Sequence, residues 1–187
     1  MTSVSDPEIS AFLSEGTRTG ILGYVSASGR PLVTPVWFIV EDGTLVFNTG
    51  KETAKGRSLA RDARATLCAN LQEPPYGFVQ VQGDAELSED PAELLRTATA
   101  IAARYMGADK AEAVGKRNAG PGELVVRLVP TKVVAAAAAR GVAVYPLDRY
   151  FAGPPSISGL ILGYGTATLP QVRRAAAELG RLLTSLP

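Results

Sequence analysis

Residues 32–49, LVTPVWFIVEDGTLVFNT, decide the fold. Two apolar runs rich in β-branched and aromatic residues, VWFIVE and TLVFNT, flank Asp42-Gly43. A two-residue Asp-Gly loop marks a hairpin, because a type I′ turn needs positive φ at both central positions. The spacing therefore predicts two antiparallel strands, one over Leu32–Val40 and one over 44–49, with Asp42-Gly43 between them.

On the N-terminal side, Ile21, Leu22, Tyr24 and Val25 form a strand candidate within Thr19–Ser26, and Ser28-Gly29-Arg30-Pro31 supplies the turn that follows it. On the C-terminal side, strands fit Ala63–Leu71, Tyr76–Leu87 and Glu123–Val129, the first two separated by Pro74-Pro75. Helices interrupt the series. One opens the chain, with Asp6 as N-cap, Pro7 at the first helical position and Ile9, Phe12 and Leu13 on one face. A second covers Thr53–Arg61. A third starts after Asp90-Pro91, with Glu93 completing a capping-box pattern, Leu94, Ala98, Ile101 and Tyr105 on one face, and Gly107 at its end. Six short strands broken by helices predict a mixed α+β chain, mostly β, built as a small closed or partly open barrel rather than a doubly wound sheet.

The chain changes character at TKVVAAAAARGV, so residues 1–134 are read as one domain and 135–187 as an extension. In the extension, VAVYPL and GLILGYG read as short strands around a Gly153-Pro154-Pro155 loop. A helix is expected from Pro170, capped by Thr168 and Gln171, with Val172, Ala175, Leu179 and Leu182 on one face.

Composition narrows the chemistry. At 187 residues and 46% hydrophobic the chain can bury a real core, and a net charge of +1 gives no field that would suggest nucleic acid as a partner. No apolar run approaches the roughly 18 residues a membrane span needs, and the N-terminus lacks a basic, then apolar, leader pattern, so a soluble cytoplasmic protein is expected. Cys68, the lone cysteine, lies in the apolar run ATLCANL and reads as a buried strand thiol. Histidine is absent, which removes the commonest general base, the usual zinc ligand and every Ser-His or Cys-His arrangement. Redox chemistry survives that absence, because a cofactor carries the difficult step.

The segment FNTGKETAKGRSLARDAR carries the strongest chemical signal. A strand ends at Thr49, a glycine turn follows and a helix opens near Thr53, so Lys51, Lys55 and Arg57 gather beside unpaired helix N–H groups. The Thr49 and Thr53 hydroxyls add neutral donors, and such a place suits a phosphate. The same spacing also fits a solvated helix face, and it matches neither a Walker nor a Rossmann pattern.

Residues 12–134 resemble the split-barrel family that includes pyridoxamine-phosphate oxidases and the deazaflavin (coenzyme F420)-dependent reductases of actinobacteria. The resemblance rests on FLSEGTRTGILGYVSASGRPLVTPVWFIVEDGTLVFNTGKETAKGRSL, RDARATLCAN, PPYGFVQVQGDAELSED, IAARYMGADKAE and RNAGPGELVVRLVPTKV taken in order. It implies a six-stranded split β-barrel, a homodimer, and a cofactor groove made by both subunits. Thr34, Val36 and Trp37 would then line the cofactor ring. The Thr49–Arg57 segment, with Lys51, Thr53, Lys55, Gly56 and Arg57, would hold its phosphate. Tyr76, Arg104 and Tyr105 of the second subunit would close the pocket. Trp37 and Tyr76 also fit plain core packing, and Arg104 also fits a cation at a helix C-terminus.

The motif wording resembles the deazaflavin branch more than true pyridoxamine-phosphate oxidases, so coenzyme F420 is the expected cofactor and FMN the alternative. The implied reaction is hydride transfer from C5 of the reduced deazaflavin to an electron-poor double bond of a small organic substrate. Its proton would come from water, Tyr76, Tyr105 or a lysine with a lowered pKa. A non-catalytic carrier of a flavin or tetrapyrrole, and an FMN-dependent pyridoxamine-phosphate oxidase, are the competing readings. Residues 140–187 resemble the end of the aminotransferase-like domain of MocR-type regulators. Neither that regulator's winged helix nor its cofactor lysine is present, so neither DNA binding nor pyridoxal phosphate is expected.

Overall fold

In the computed structural model the described residues are 3–73 and 77–136, with 144–146, 160–162 and positions 170, 172, 173, 176 and 177 of the C-terminal part. The first unit holds a seven-stranded antiparallel sheet: β1 (Gly20–Val25), β2 (Pro31–Val36), β3 (Ile39–Glu41), β4 (Thr44–Gly50), β5 (Arg64–Asn70), β6 (Phe78–Ser88) and β7 (Glu123–Ala136). Four helices accompany it: α1 (Pro7–Ser14), α2 (Ala54–Arg61), α3 (Pro91–Met106) and α4 (Ala108–Asn118). The hairpin forms as the sequence predicts, with φ of 50° at Asp42 and 73° at Gly43, and with Glu41 opposite Thr44.

The expected six strands are seven because the run read as one strand over Leu32–Val40 changes partner midway. Residues 31–36 pair with β1, and 39–41 pair with β4. The spatial order is β2-β1-β5-β6-β7-β4-β3, so the two edge strands are neighbours in sequence, joined only by Trp37 and Phe38. Two linking residues span at most about 11 Å between the flanking Cα atoms. The edges must therefore curl toward each other, and the sheet becomes a barrel with a seam that the chain crosses covalently rather than by a ladder.

Alternation does the rest. β5 and β6 bury every second residue, and Leu22, Leu67, Val79, Val81, Val126 and Leu128 point into one core with Phe38 and Phe47, both fully buried. Helix α1 adds Ile9 and Leu13 to the same core, packing on β3 and β6.

The extents of β6 and β7 differ from the sequence expectation. β6 begins at Phe78 and runs to Ser88, and β7 continues past Val129 to Ala136. Pro130 lacks a donor and reads as a strand stop, but it sits at a bulge where pairing shifts from Gly83↔Pro130 to Gln82↔Lys132. Gly83 permits this, since a Cβ there would lie 2.1 Å from the Val129 carbonyl oxygen. The sequence reading also missed α4, a helix rich in Ala and Lys that follows Gly107 directly and packs on α3. Glu93 does not close a capping box. The Asp90 side chain caps Ala92, the Asp90 N–H bonds the Ser88 hydroxyl, and Glu93 turns to Arg127.

In the second unit, Val144–Pro146 (β8) pairs antiparallel with Leu160–Leu162 (β9), and residues 170, 172, 173, 176 and 177 are helical. Ala175, Leu179 and Leu182 of the expected apolar face lie outside the described residues.

A partly exposed ion network ties β3, β7 and α3 together. Glu41 receives both guanidinium arms of Arg96, and Arg127 bridges Glu41 and Glu93 at 2.9 Å each. The Arg96 hydrogen bonds, helped by Arg127, hold the Glu41 carboxyl at about 2 against an ordinary 4.5. A folded pKa below the unfolded one adds stability that is present above about 4.5 and is lost as pH falls toward about 2. Glu41→Gln should therefore lower unfolding free energy by about 1–2 kcal/mol at neutral pH, after discounting for solvent screening. In urea titrations the gap from wild type should close across that same acid window.

Candidate functional site

β4 delivers the chain to the site and α2 leads it away. The turn between them is built by hydroxyls: Thr53 accepts the Gly56 N–H at 3.0 Å, donates to the Gly50 carbonyl at 2.7 Å, and lies 3.2 Å from the buried Thr49 hydroxyl. Gly56 is needed for packing, because a Cβ there would stand 2.4 Å from the Gly50 carbonyl oxygen and 2.8 Å from that of Lys51. Only a glycine lets the first turn of α2 close against the end of β4.

This turn sorts its three cations. Lys51 Nζ is paired with Glu89 at 3.0 Å, and Arg57 with Glu52 at 3.6 Å. Lys55 is half-buried, and its ammonium makes no hydrogen bond or ion pair within reach of another described residue. Burial pushes its pKa below the usual lysine value, with Glu123 opposing that shift.

Lys55 faces a cavity of about 440 Å³. One wall comes from the strand crossover, Pro35, Val36 and Trp37, with Thr19 beside them. A second comes from Ala98 and Ile101 of α3. Asn48 on β4, Arg117 and Asn118 at the end of α4, and Glu123 at the start of β7 supply the polar lining. The volume falls within the range of small-molecule sites, and its mix of apolar walls and a few polar groups is typical of them.

The Trp37 wall is rigid because it is backed. Its indole stacks on the Tyr105 ring at 4.9 Å between centroids and 3° between planes, while Trp37 remains 41% exposed. Tyr105 is itself held: its hydroxyl donates to the Arg18 carbonyl at 2.7 Å and accepts the Phe38 N–H at 3.3 Å. Arg104 lies over the Phe38 and Tyr105 rings and donates to the carbonyls of Leu13, Gly16 and Phe38 at 2.7–2.9 Å. These two residues brace the crossover of their own chain. With its proton given to a backbone carbonyl and its pKa raised by burial, Tyr105 is a poor proton donor, which removes one of the sources the sequence suggested.

Of the residues singled out from sequence, the structure brings Val36, Trp37 and Lys55 together around the cavity. Thr34 sits half-buried on β2 outside its lining, Thr49, Thr53 and Gly56 build the turn, Lys51 and Arg57 are ion-paired, and Arg104 and Tyr105 stand behind the wall. Tyr76 lies outside the described residues. Sequence reasoning missed Asn48, which directly precedes the phosphate-cradle stretch, and Arg117, Asn118 and Glu123. The last three flank the Gly-Pro-Gly loop of RNAGPGE, whose charged borders were the available signal.

A family model described as pyridoxamine 5'-phosphate oxidase matches residues 5–135. No curated protein matches the chain. Among solved structures, the chain is similar to a conserved hypothetical protein from Mycobacterium tuberculosis, at 26% identity and a TM-score of 0.62, covering 70% of this chain and 83% of that one. It is also similar to an F420 reductase at 24% identity and TM-score 0.52, covering 66% and 94%. A third similar structure, from Listeria innocua, is described as a putative pyridoxamine 5'-phosphate oxidase, at 22% identity and TM-score 0.54, covering 68% and 94%.

Tyr105→Phe keeps the ring and deletes the bonds to Arg18 and Phe38. It should cost about 1–2 kcal/mol in unfolding free energy and broaden the emission of Trp37, the single tryptophan, as its wall loosens. Thermal unfolding followed by that emission checks both effects.

Proposed function

Since residues 5–135 place this chain in the pyridoxamine 5'-phosphate oxidase family of split barrels, we propose that it is an oxidoreductase that binds reduced coenzyme F420, with FMN as the alternative, at a homodimer interface and acts on a small organic acceptor. The observation that carries this reading is Lys55, a half-buried cation without a partner among the described residues, set in one cavity with the braced, exposed face of Trp37. A phosphate and a flat tricyclic ring are what those two features suit: a cation in partial burial attracts an anion strongly, and a backed indole is a stacking surface.

Lys55 would hold the phosphate, and Trp37, Val36 and Pro35 would flank the ring while Ala98 and Ile101 exclude water from its other side. When bound, the reduced deazaflavin supplies a hydride from C5 to an electron-poor double bond of the acceptor. The chain's own contribution is binding and orientation. Tyr105 is committed to a backbone carbonyl, and Lys55 would be engaged by the phosphate, which leaves water and Tyr76 of the sources expected from sequence, Tyr76 lying outside the described residues. The homodimer is supported by an apolar outer face on β1 and β2, where Ile21 is 40% and Val33 is 74% exposed.

We assign cofactor binding to residues 1–134. No helix among the described residues is long and apolar enough to cross a membrane, and we place the protein in the cytoplasm. The family match stops at residue 135 and does not support the resemblance of the tail to MocR-type regulators expected from sequence, which adds no activity to this reading.

The test is a titration of the purified protein with coenzyme F420 and with FMN, read by quenching of Trp37. Binding of either in the micromolar range or tighter is expected, with turnover of an activated enone by the F420-loaded protein. Lys55→Ala should weaken binding by about 10–100-fold, the loss of one charge-assisted phosphate contact of roughly 1.5–3 kcal/mol. Failure of both cofactors to bind would end the enzyme reading, and tight binding without turnover would favour a carrier.

A further inference from the structure

The lining of the cavity contains a group that a phosphate site would ordinarily avoid. Glu123 opens β7 directly opposite Gly50, the last residue of β4, and the two strands are joined again just beyond by the bond from Lys51 N–H to the Gly122 carbonyl at 2.8 Å. Gly50 has no side chain, and Glu123 Oε1 lies 3.5 Å from where its Cβ would be. The carboxylate thus rests over the β4–α2 turn, next to the helix start that presents Lys55.

Both side chains line the same cavity, and neither is hydrogen-bonded or ion-paired to another described residue. They are nevertheless coupled through space. Burial raises the carboxyl pKa of Glu123 and lowers that of Lys55, and in each case the other's charge opposes the shift. The other polar residues lining the cavity are Thr19, Asn48 from β4, and Arg117 and Asn118 from α4. Arg117 is exposed and bonds the Asn118 side chain at 3.2 Å.

We propose that Glu123 is the resident counter-charge of Lys55, which an anionic ligand must displace or find protonated, so that Glu123 sets how tightly the cavity holds an anion and over which pH range. The inference rests on the reading of Lys55 as an anion site. It deepens that reading by naming a specificity-determining residue that acts against binding. A negative charge lining the same cavity as a bound phosphate repels it, and in a partly solvated site that repulsion is on the order of 1 kcal/mol. Linkage then sets the sign. Affinity rises as pH falls through the Glu123 pKa, which lies above the ordinary 4.5, and affinity falls at alkaline pH as Lys55, whose pKa lies below the ordinary 10.5, loses its proton.

Two measurements on the full chain test this, with Glu123→Gln as the variant. The first needs no cofactor: NMR titration of the Lys55 ammonium should show its pKa falling in Glu123→Gln, because the carboxylate that favoured the charged form is gone. An unchanged Lys55 pKa overturns the coupling.

The second measures binding of sulfate, which does not titrate in the range used, and of coenzyme F420, each through Trp37 emission. Glu123→Gln should bind both about 3–10-fold more tightly than wild type above the Glu123 pKa, and the ratio should approach one as pH falls below it. Equal or weaker binding by Glu123→Gln at every pH overturns the proposal and makes Glu123 a ligand acceptor or a purely structural residue. Sulfate binding with this pH dependence, but no binding of F420 or FMN, would keep the counter-charge while ending the cofactor reading. Glu123→Met, which lacks the charge and the amide, must reproduce the tighter sulfate binding. If only Glu123→Gln does, the effect belongs to the new amide and the proposal fails.

Discussion

The whole barrel hangs on the two residues between β2 and β3. A sheet whose outermost strands are consecutive in the chain is not free to stay flat, since Trp37 and Phe38 alone must carry the backbone from one edge to the other. At that crossing the ladder is interrupted, and the backbone groups exposed there need other partners. Arg104 and Tyr105, reaching in from the end of α3, provide them: the Phe38 carbonyl takes the guanidinium and the Phe38 N–H takes the phenol oxygen. Phe38 then turns fully inward to the core, and Trp37 turns outward to the cavity. One crossover therefore closes the fold and creates the wall of the site.

Charge is distributed by the same logic. Near the crossover and the β4–α2 turn the chain carries many cations, and most are neutralised by a nearby carboxylate or absorbed by backbone carbonyls. Lys51 has Glu89, Arg57 has Glu52, Arg96 and Arg127 share Glu41, and Arg104 is ringed by carbonyls. The exposed pairs Lys51–Glu89 and Arg57–Glu52 contribute little stability each, but the pairing leaves Lys55 and the exposed Arg117 as the cations that line the cavity, with Glu123 coupled to Lys55 at a distance. Under the proposed function, an anion held there would meet opposed charges on neighbouring elements, Lys55 and Arg117 against Glu123.

The family match ends at residue 135, where β7 is completing its pairing with β6 through Phe78↔Ala136. Among the described residues, every element that builds or braces the cavity lies before that point.

The sequence by itself determined what is local. The Asp-Gly hairpin, the α2 start at Thr53, the Asp90-Pro91 helix start and the alternation of β5 and β6 are legible because each depends on neighbours in the chain, through turn geometry, capping and a period of two. The ordered motifs added the family, and Lys55, Trp37 and Val36 were within reach of that reading. Only the tertiary structure decided what depends on distant pairing. The split of one long strand into β2 and β3 follows from which partners 31–36 and 39–41 find across the sheet. The β7 extension follows from a bulge opposite Gly83, and the roles of Arg104 and Tyr105 follow from a crossover more than 60 residues before them, as the Phe38 contacts show. Glu123 and Arg117 enter the site because β7 lies beside β4 and α4 ends next to it. A pattern along the chain cannot report that adjacency, because pairing between strands so far apart in sequence is set by packing and hydrogen bonding in the folded whole.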